Sequence, residues 1–316
     1  MGNGLHIYGI RMKFLGTSTR ETKIGEASTP QNTSCDGCQD PGLLTSALAN
    51  TKKSFRHKKF NQVRISEVGT FCPREYALGF LTDTAAESFV DFPLQQVFDL
   101  GSALHYWMQN RSKVFRDCLC GYWSCLACQN YRLNADGSKY FGTKPKDNCE
   151  TCGASPKATE YEEYMFRLTE PYRIVGKLDA VLLKDGVYRF ADFKSYAKKD
   201  NFPLGKDVAQ LAAYTYFYQF VPNEEKFPVP IDTSTAYLIY ISKAFSYRES
   251  ILTYPIRPTE KMIETIRGNV SQFTEATKTG NLPEPLNVCI RKDFNSGKAK
   301  DCSMRELCKE KHLSGL

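Results

Sequence analysis

The sequence predicts a mixed α/β protein: a central mixed sheet flanked by helices. Three observations carry that prediction. Apolar alternation of period two gives three consecutive strands over about residues 160–195. Helical patterns precede and follow them, and two more strands and a long amphipathic helix come after. With 316 residues, 41% of them apolar, the chain can bury a sizeable core. No apolar run reaches the length of a membrane span, and the N-terminus lacks a secretory apolar stretch. Met1-Gly2 is followed by His6 rather than the Ser or Thr of a myristoylation signal. A cytoplasmic protein without a membrane partner is therefore expected.

The elements follow in order. Residues 1–60 are polar and basic, and part of this arm is expected to be disordered. Its densest cluster, "TKKSFRHKKF", holds Lys52, Lys53, Arg56, Lys58 and Lys59. It suits either a solvated linker or an arm laid against phosphates, and a net charge of +7 permits an anionic partner. Residues 61–316 form the folded domain. "SEVGTFCPREYALGFL" reads as short helical pieces broken near Gly69 and Pro73. "PLQQVFDLGSALHYWMQNRSKVF" reads as a longer helix with Leu100, Leu104, Trp107 and Met108 on one apolar stripe. About 113–155 reads as an insertion with six cysteines. "EYEEYMFRL", "YRIVGKLDAVLL" and "VYRFADFKS" are the three strands. "KDVAQLAAYTYFYQF" is a helix, "STAYLIYIS" and "ESILTYPI" are strands, and "PTEKMIETIRGNVSQFTEAT" is the final amphipathic helix.

Asp185-Gly186 suits a two-residue hairpin turn, because both residues tolerate positive φ. Lys184 then faces Val187, and paired positions sum to 371. Asp179 falls opposite Asp192, with Cβ atoms about 4.5–5.5 Å apart, and alternation puts Lys194 on the same face. Two carboxylates that close repel, and a divalent cation between them resolves the conflict. Carboxylate oxygens suit Mg²⁺ or Mn²⁺. A lysine beside the cation can orient a water and offset phosphate charge. The same register sets Lys177 opposite Lys194, an unfavourable pair that a bulge or a bound phosphate would relieve.

Cys125-x2-Cys128 and Cys149-x2-Cys152 stand 20 residues apart, the spacing of a closed four-thiolate Zn²⁺ site. Such a site would pin an insertion too small to bury its own core, with Tyr122 and Trp123 packed on the knuckle. Cys35, Cys38, Cys118 and Cys120 are left over; they make a second zinc site, or stay free thiols.

"GSALH", "GKLD", "DFK" and "QLAAY" stand in this order on helix, strand, strand and helix, and "CPREYAL" precedes them. Together they resemble the RecB-type branch of the PD-(D/E)XK nucleases. Most similar is the iron–sulfur subgroup: CRISPR-adaptation exonucleases, the AddB nuclease domain and phage relatives. The resemblance covers roughly 66–112 and 156–312. It implies a restriction-endonuclease-like core carrying a zinc-ribbon-like insertion. It implies that His105, Asp179 and Asp192 hold Mg²⁺ or Mn²⁺ with the Phe193 carbonyl. Lys194 would position the attacking water, and Gln210 and Tyr214 would steady the lysine or contact DNA. One of Glu160, Glu162 and Glu163 could add a carboxylate. Cys72, Cys289, Cys302 and Cys308 would bind a 4Fe–4S cluster, with zinc at the same thiolates as the rival. Twelve residues separate Cys289 from Cys302 where relatives usually have two. The implied activity is hydrolysis of DNA, as an exonuclease on single strands or ends, with protein partners in recombination, repair, replication or CRISPR adaptation. The rival is a DNA-binding subunit of such an assembly with little or no nuclease activity.

Overall fold

The computed structural model describes residues 54–90, 92–197, 202–243 and 251–314. Strands β1 (Ser54–Lys58) and β2 (Val63–Arg64) precede helix α1 (Pro73–Leu81), and β3 (Ala86–Val90) leads to α2 (Phe92–Asn110). Strands β4 (Leu119–Cys125) and β5 (Phe141–Gly142) belong to the cysteine-rich stretch. Then come β6 (Thr159–Glu162), β7 (Tyr164–Leu168), β8 (Ile174–Leu178), β9 (Ala180–Lys184) and β10 (Val187–Tyr196). Helix α3 (Gly205–Phe217), β11 (Ala236–Ser242), β12 (Ile251–Ile256) and α4 (Glu260–Thr279) follow. Short helices α5 (Asn287–Ile290), α6 (Gly297–Lys300) and α7 (Arg305–Leu313) end the described chain. Of the arm expected over 1–60, residues 1–53 lie outside the described residues, and Ser54–Lys58 pair with β3.

The central sheet has seven strands in the order β12-β11-β10-β9-β4-β5, with β6 also paired to β4. Strands β10 and β11 are parallel, and the connection between them carries α3. Asp185 (φ 52°) and Gly186 (φ 74°) make the predicted turn, and the ladder runs from Lys184–Val187 to Ala180–Ala191.

Two of the three predicted strands are split. "EYEEYMFRL" breaks at Glu163 into β6 and β7, and "YRIVGKLDAVLL" breaks at Asp179 into β8 and β9. The leading halves and trailing halves serve different sheets: β2, β8 and β7 form a separate three-stranded sheet. The insertion also starts later than expected. Leu119 and Cys120 pair with Leu182 and Val181 of β9, so β4 is part of the central sheet.

Strand alternation sorts the core onto two faces. Val181, Phe190, Leu238 and Tyr240 pack with α3 and α4 through Leu211, Ala212, Val270 and Phe273. Ala180, Ala191, Phe193, Ile239 and Ile241 pack on the other face with Leu104 and Met108 of α2. The predicted stripe on α2 is half right: Leu100 and Trp107 are 42% and 45% exposed, because the helix meets the sheet through Leu104 and Met108. Thr259 caps α4 by accepting from the Met262 amide, and Gly280 at φ 77° ends it. No described helix is long and apolar enough to cross a membrane.

Candidate metal centre and cysteine sites

Three carboxylates meet where the two sheets part. One position beyond the last β9–β10 pair, the register sets Asp179 opposite Asp192. One position beyond Tyr164–Leu178, the β7–β8 register sets Glu163 opposite the same Asp179. Of the three glutamates on this stretch, the fold thus selects Glu163. Asp179 Oδ2 accepts the Phe193 amide at 2.8 Å. Ligand atoms of His105, Glu163 and Asp179 all lie within 4.8 Å of one another, close enough to share one cation.

Helix α2 supplies the imidazole. His105 Nδ1 stands 3.5 Å from Asp179 Oδ2, and its ring meets Phe193 edge-on. One turn earlier, a Cβ on Gly101 would stand 3.4 Å from Ser195 Oγ, an ordinary contact, so this face of α2 lies beside β10. One turn later, Gln109 Nε2 donates to Glu163 Oε1 at 3.0 Å and to the Asp179 carbonyl at 2.9 Å. Gln109 escaped the sequence reading, although its i+4 spacing from His105 is the signal that finds it.

Helix α3 supplies the clamp from the other face. Lys194 Nζ lies 2.6 Å from Asp192 Oδ2 and donates to Gln210 Oε1 at 2.9 Å. Gln210 Nε2 donates to Asp192 Oδ1 at 3.0 Å and closes the ring. Asp192 is 1% exposed, and its Oδ2 is met by the Lys194 ammonium. A buried carboxylate needs a charge partner of this kind, an ammonium or a metal cation, to stay ionised. Tyr214 is buried and donates to the Lys177 carbonyl, so it fixes the strand that leads to Asp179. Lys177 does not face Lys194: β8 has left for the second sheet, and Lys177 Nζ pairs with Glu163 Oε2 at 2.8 Å.

The charges are strongly coupled. Burial, opposed by Lys194 and aided by Asp179, pushes the Asp192 carboxyl up to about 7. Burial also opposes ionisation of Asp179, yet the His105 contact, Lys194 and the Phe193 amide hold it below the usual range. His105 is raised: burial disfavours the imidazolium, but Asp179 and then Asp192 outweigh it. Lys194 is raised by Asp192 and Asp179 against burial.

Cys125, Cys128, Cys149 and Cys152 converge, all four sulfurs within 4.8 Å of one another. Cys125 Sγ is 3.7 Å from Cys152 Sγ, and Cys128 Sγ is 3.8 Å from Cys149 Sγ. Each knuckle turns through a left-handed residue, Gln129 at φ 60° and Gly153 at φ 73°. Arg132, 1% exposed, ties the second knuckle by donating to Glu150, to the Asp147 and Asn148 carbonyls and to Thr159. Trp123 does not pack on the knuckle as expected. It donates to the Gly142 carbonyl and packs edge-on against Tyr161 within the core. Of the leftover cysteines, Cys35 and Cys38 lie outside the described residues. Cys120 is buried in the central sheet, where burial first and then the Cys118 charge raise its thiol to about 11.

Cys72, Cys289, Cys302 and Cys308 line one small cavity, although they are far apart in sequence. Cys72 immediately precedes α1, whose first residue is Pro73. The twelve-residue gap is folded compactly. Asp293 (φ 43°) and Phe294 (φ 58°) reverse the chain, and the Phe294 amide donates to the Cys289 carbonyl. Helix α6 then returns it, so that Phe294 and Ala299 join the same cavity wall. Burial raises the thiols, Cys302 to about 12.

Comparison with known proteins follows this geometry. A family model described as the PD-(D/E)XK nuclease superfamily matches residues 65–309. A solved structure titled "Crystal structure of SSO0001" is 16% identical over 84% of this chain and 94% of that chain, at a TM-score of 0.35. No curated protein matches the sequence.

Proposed function

Because the chain belongs to the PD-(D/E)XK nuclease superfamily, we propose that it is a divalent-metal-dependent deoxyribonuclease acting on single strands or DNA ends. The observation that carries this reading is the meeting of His105, Glu163 and Asp179 ligand atoms within 4.8 Å of one another, with buried Asp192 opposite Asp179 in the strand register. Those four side chains and the Phe193 carbonyl would hold Mg²⁺ or Mn²⁺. Bound there, the cation supplies Lewis acidity and an activated water.

The chain's own groups do the rest. Lys194, held by Asp192 and Gln210, positions the attacking water and offsets charge on the phosphate oxygens. Gln210 fixes the lysine and the carboxylate together, and Gln109 keeps Glu163 turned toward Asp179. Tyr214 holds the backbone two residues before Asp179. These last three are positioning residues.

The two cysteine groups have structural roles in this reading. A tetrahedron of sulfurs about 2.3 Å from zinc has edges of about 3.8 Å, close to the 3.7 and 3.8 Å separations of Cys125–Cys152 and Cys128–Cys149. The first tetrad therefore suits Zn²⁺. The second set, Cys72, Cys289, Cys302 and Cys308, which lines one cavity, would hold a 4Fe–4S cluster on four thiolates. It would staple α1 to the C-terminal segment, where Arg74 already donates to the Pro283 carbonyl at 2.7 Å. A place in recombination, repair, replication or CRISPR adaptation follows from the resemblance.

The test compares linear and circular single-stranded DNA in Mg²⁺ and in Mn²⁺. Metal-dependent loss of the linear strand alone is expected. Cutting of circles would replace the exonuclease reading by an endonuclease one, and no cutting of either would sink the nuclease reading.

A further inference from the structure

Between the C-terminal end of α2 and the cysteine-rich excursion lies a second cavity, lined by Arg111, Arg116, Lys144, Lys146 and Lys157. None of the five makes an ion pair with a described residue. Asp117 is the one acid in the lining. Lys144 is half-buried; it donates to the Asn110 carbonyl at 3.1 Å and lies 5.7 Å from the Trp123 ring centre. Burial first, then the charges of Arg111 and Arg116, lower its pKa, and Glu160 offsets part of that. A cavity with this much unbalanced positive charge is a receptor for an anion.

Its position names the anion's setting. Gln109 lines this cavity, and the same side chain donates to Glu163 and to the Asp179 carbonyl. One residue therefore separates the basic cavity from the candidate metal centre. Arg111 and Arg116 follow α2, whereas Lys144 and Lys146 lie between the two cysteine pairs and Lys157 just after the second. The cysteine-rich stretch thus brings three cations to the cavity that meets the metal centre through Gln109. No functional motif in the sequence marks these five residues.

We propose that this cavity seats a phosphate of the nucleic-acid strand being cut and holds the strand in register with the metal centre. The proposal rests on the nuclease reading and adds the substrate group that the enzyme grips. A terminal phosphate monoester and an internal phosphodiester share this chemistry.

The experiment measures fluorescence anisotropy of the full chain, without added divalent metal, on labelled single strands across a salt series. The strands carry a 5′-phosphate, a 3′-phosphate or only hydroxyl ends, and one is circular. The variant joins Arg116→Ala, Lys146→Ala and Lys157→Ala, with Lys261→Ala on α4 as a charge control. Each lost phosphate contact on a single strand flattens the plot of log affinity against log salt by about 0.7, so emptying the one phosphate seat in the triple variant flattens it by about 0.7. Lys261→Ala leaves the slope unchanged. A preference for one phosphorylated end that the variant erases assigns the cavity to a strand terminus. An equal loss on all strands, circle included, assigns it to the backbone, and both results support the proposal. Wild-type slope and affinity in a triple variant whose parent still cuts DNA would overturn the proposal and leave the nuclease reading standing. A parent that neither binds nor cuts would remove both. Should the triple variant lose its native circular dichroism, Lys146→Glu, at an exposed position, reads the same slope.

Discussion

Loading the metal centre should release protons, and the amount can be worked from the site. In the metal-free protein Asp192 is pushed up to about 7, and His105 is held toward its protonated form by Asp179. A cation needs the carboxylate ionised and the imidazole neutral. With Asp192 titrating at about 7, it is ionised in about 9% of molecules at pH 6 and about 91% at pH 8. Apparent Mn²⁺ affinity should therefore rise at least tenfold between those pH values, and the His105 proton adds to that. Isothermal titration in two buffers of different ionisation enthalpy reads both the affinity and the protons released. Asp192→Asn should bind more weakly and lose the Asp192 share of the pH dependence. The sign for stability follows from the same shift. An unfolded Asp titrates near about 3.9, so between that value and about 7 the folded state holds the proton more tightly. The stability this gives is present at low pH and is lost as pH rises through about 7. Metal should restore it. A Mn²⁺ affinity that is flat from pH 6 to 8, with no proton release, would refute the coupling of Asp192 to the cation.

Other expectations test neighbouring parts. Gln210→Ala removes both bonds that hold Lys194 and Asp192 together. At about 1.5–3 kcal/mol for a bond to a charged group, turnover should fall at least tenfold with KM little changed; an equal rise in KM would mean that Gln210 binds substrate instead. A Cβ on Gly176 would stand 2.7 Å from the Tyr214 hydroxyl and 3.0 Å from Ile65 Cβ. Gly176→Ala should therefore lower stability by about 1–3 kcal/mol in urea titration, and a neutral result would show that Tyr214 is not held where described. Cys128→Ser should abolish zinc content by elemental analysis and expose the excursion to protease, while the central sheet stays protected. Cys289→Ser should remove the visible absorption of an iron–sulfur cluster from anaerobically purified protein; retention of that absorption would exclude these thiols as its ligands.

How far the sequence could be read depends on which residues encode geometry locally. Asp185-Gly186 encodes a turn, the turn fixes a register, and the register places Asp192 against Asp179. The motifs on α2 and α3 were legible because four-residue spacing keeps Gly101 with His105, and Gln210 with Tyr214, on one helix face. The splits at Glu163 and Asp179 were not legible. No glycine or proline stands at either point, and although the alternation slips phase at Glu162-Glu163, a slip does not say that the chain leaves one sheet for another. The break arises because each half pairs with a different sheet, which is a tertiary fact. That split also resolves Lys177, which belongs to Glu163 rather than to Lys194. Glu163 itself had a signal that went unused. The connection "TEPYR" between β7 and β8 sets paired positions summing to 342, as in Leu168–Ile174, and that register points Glu163 at Asp179. Leu100 and Trp107 misled because helical spacing marks a face and says nothing of how much of its length meets the sheet.

In the proposed reading, Asp192 and Lys194 serve a metal centre that cuts DNA. Its most direct test is degradation of an end-labelled single strand in Mn²⁺ by the wild-type chain, Asp192→Asn and Lys194→Ala, with matched circular dichroism spectra. The wild type should degrade the strand only when metal is added, and both variants should be inactive while folded. Undiminished cutting by either folded variant would place the chemistry elsewhere in the protein.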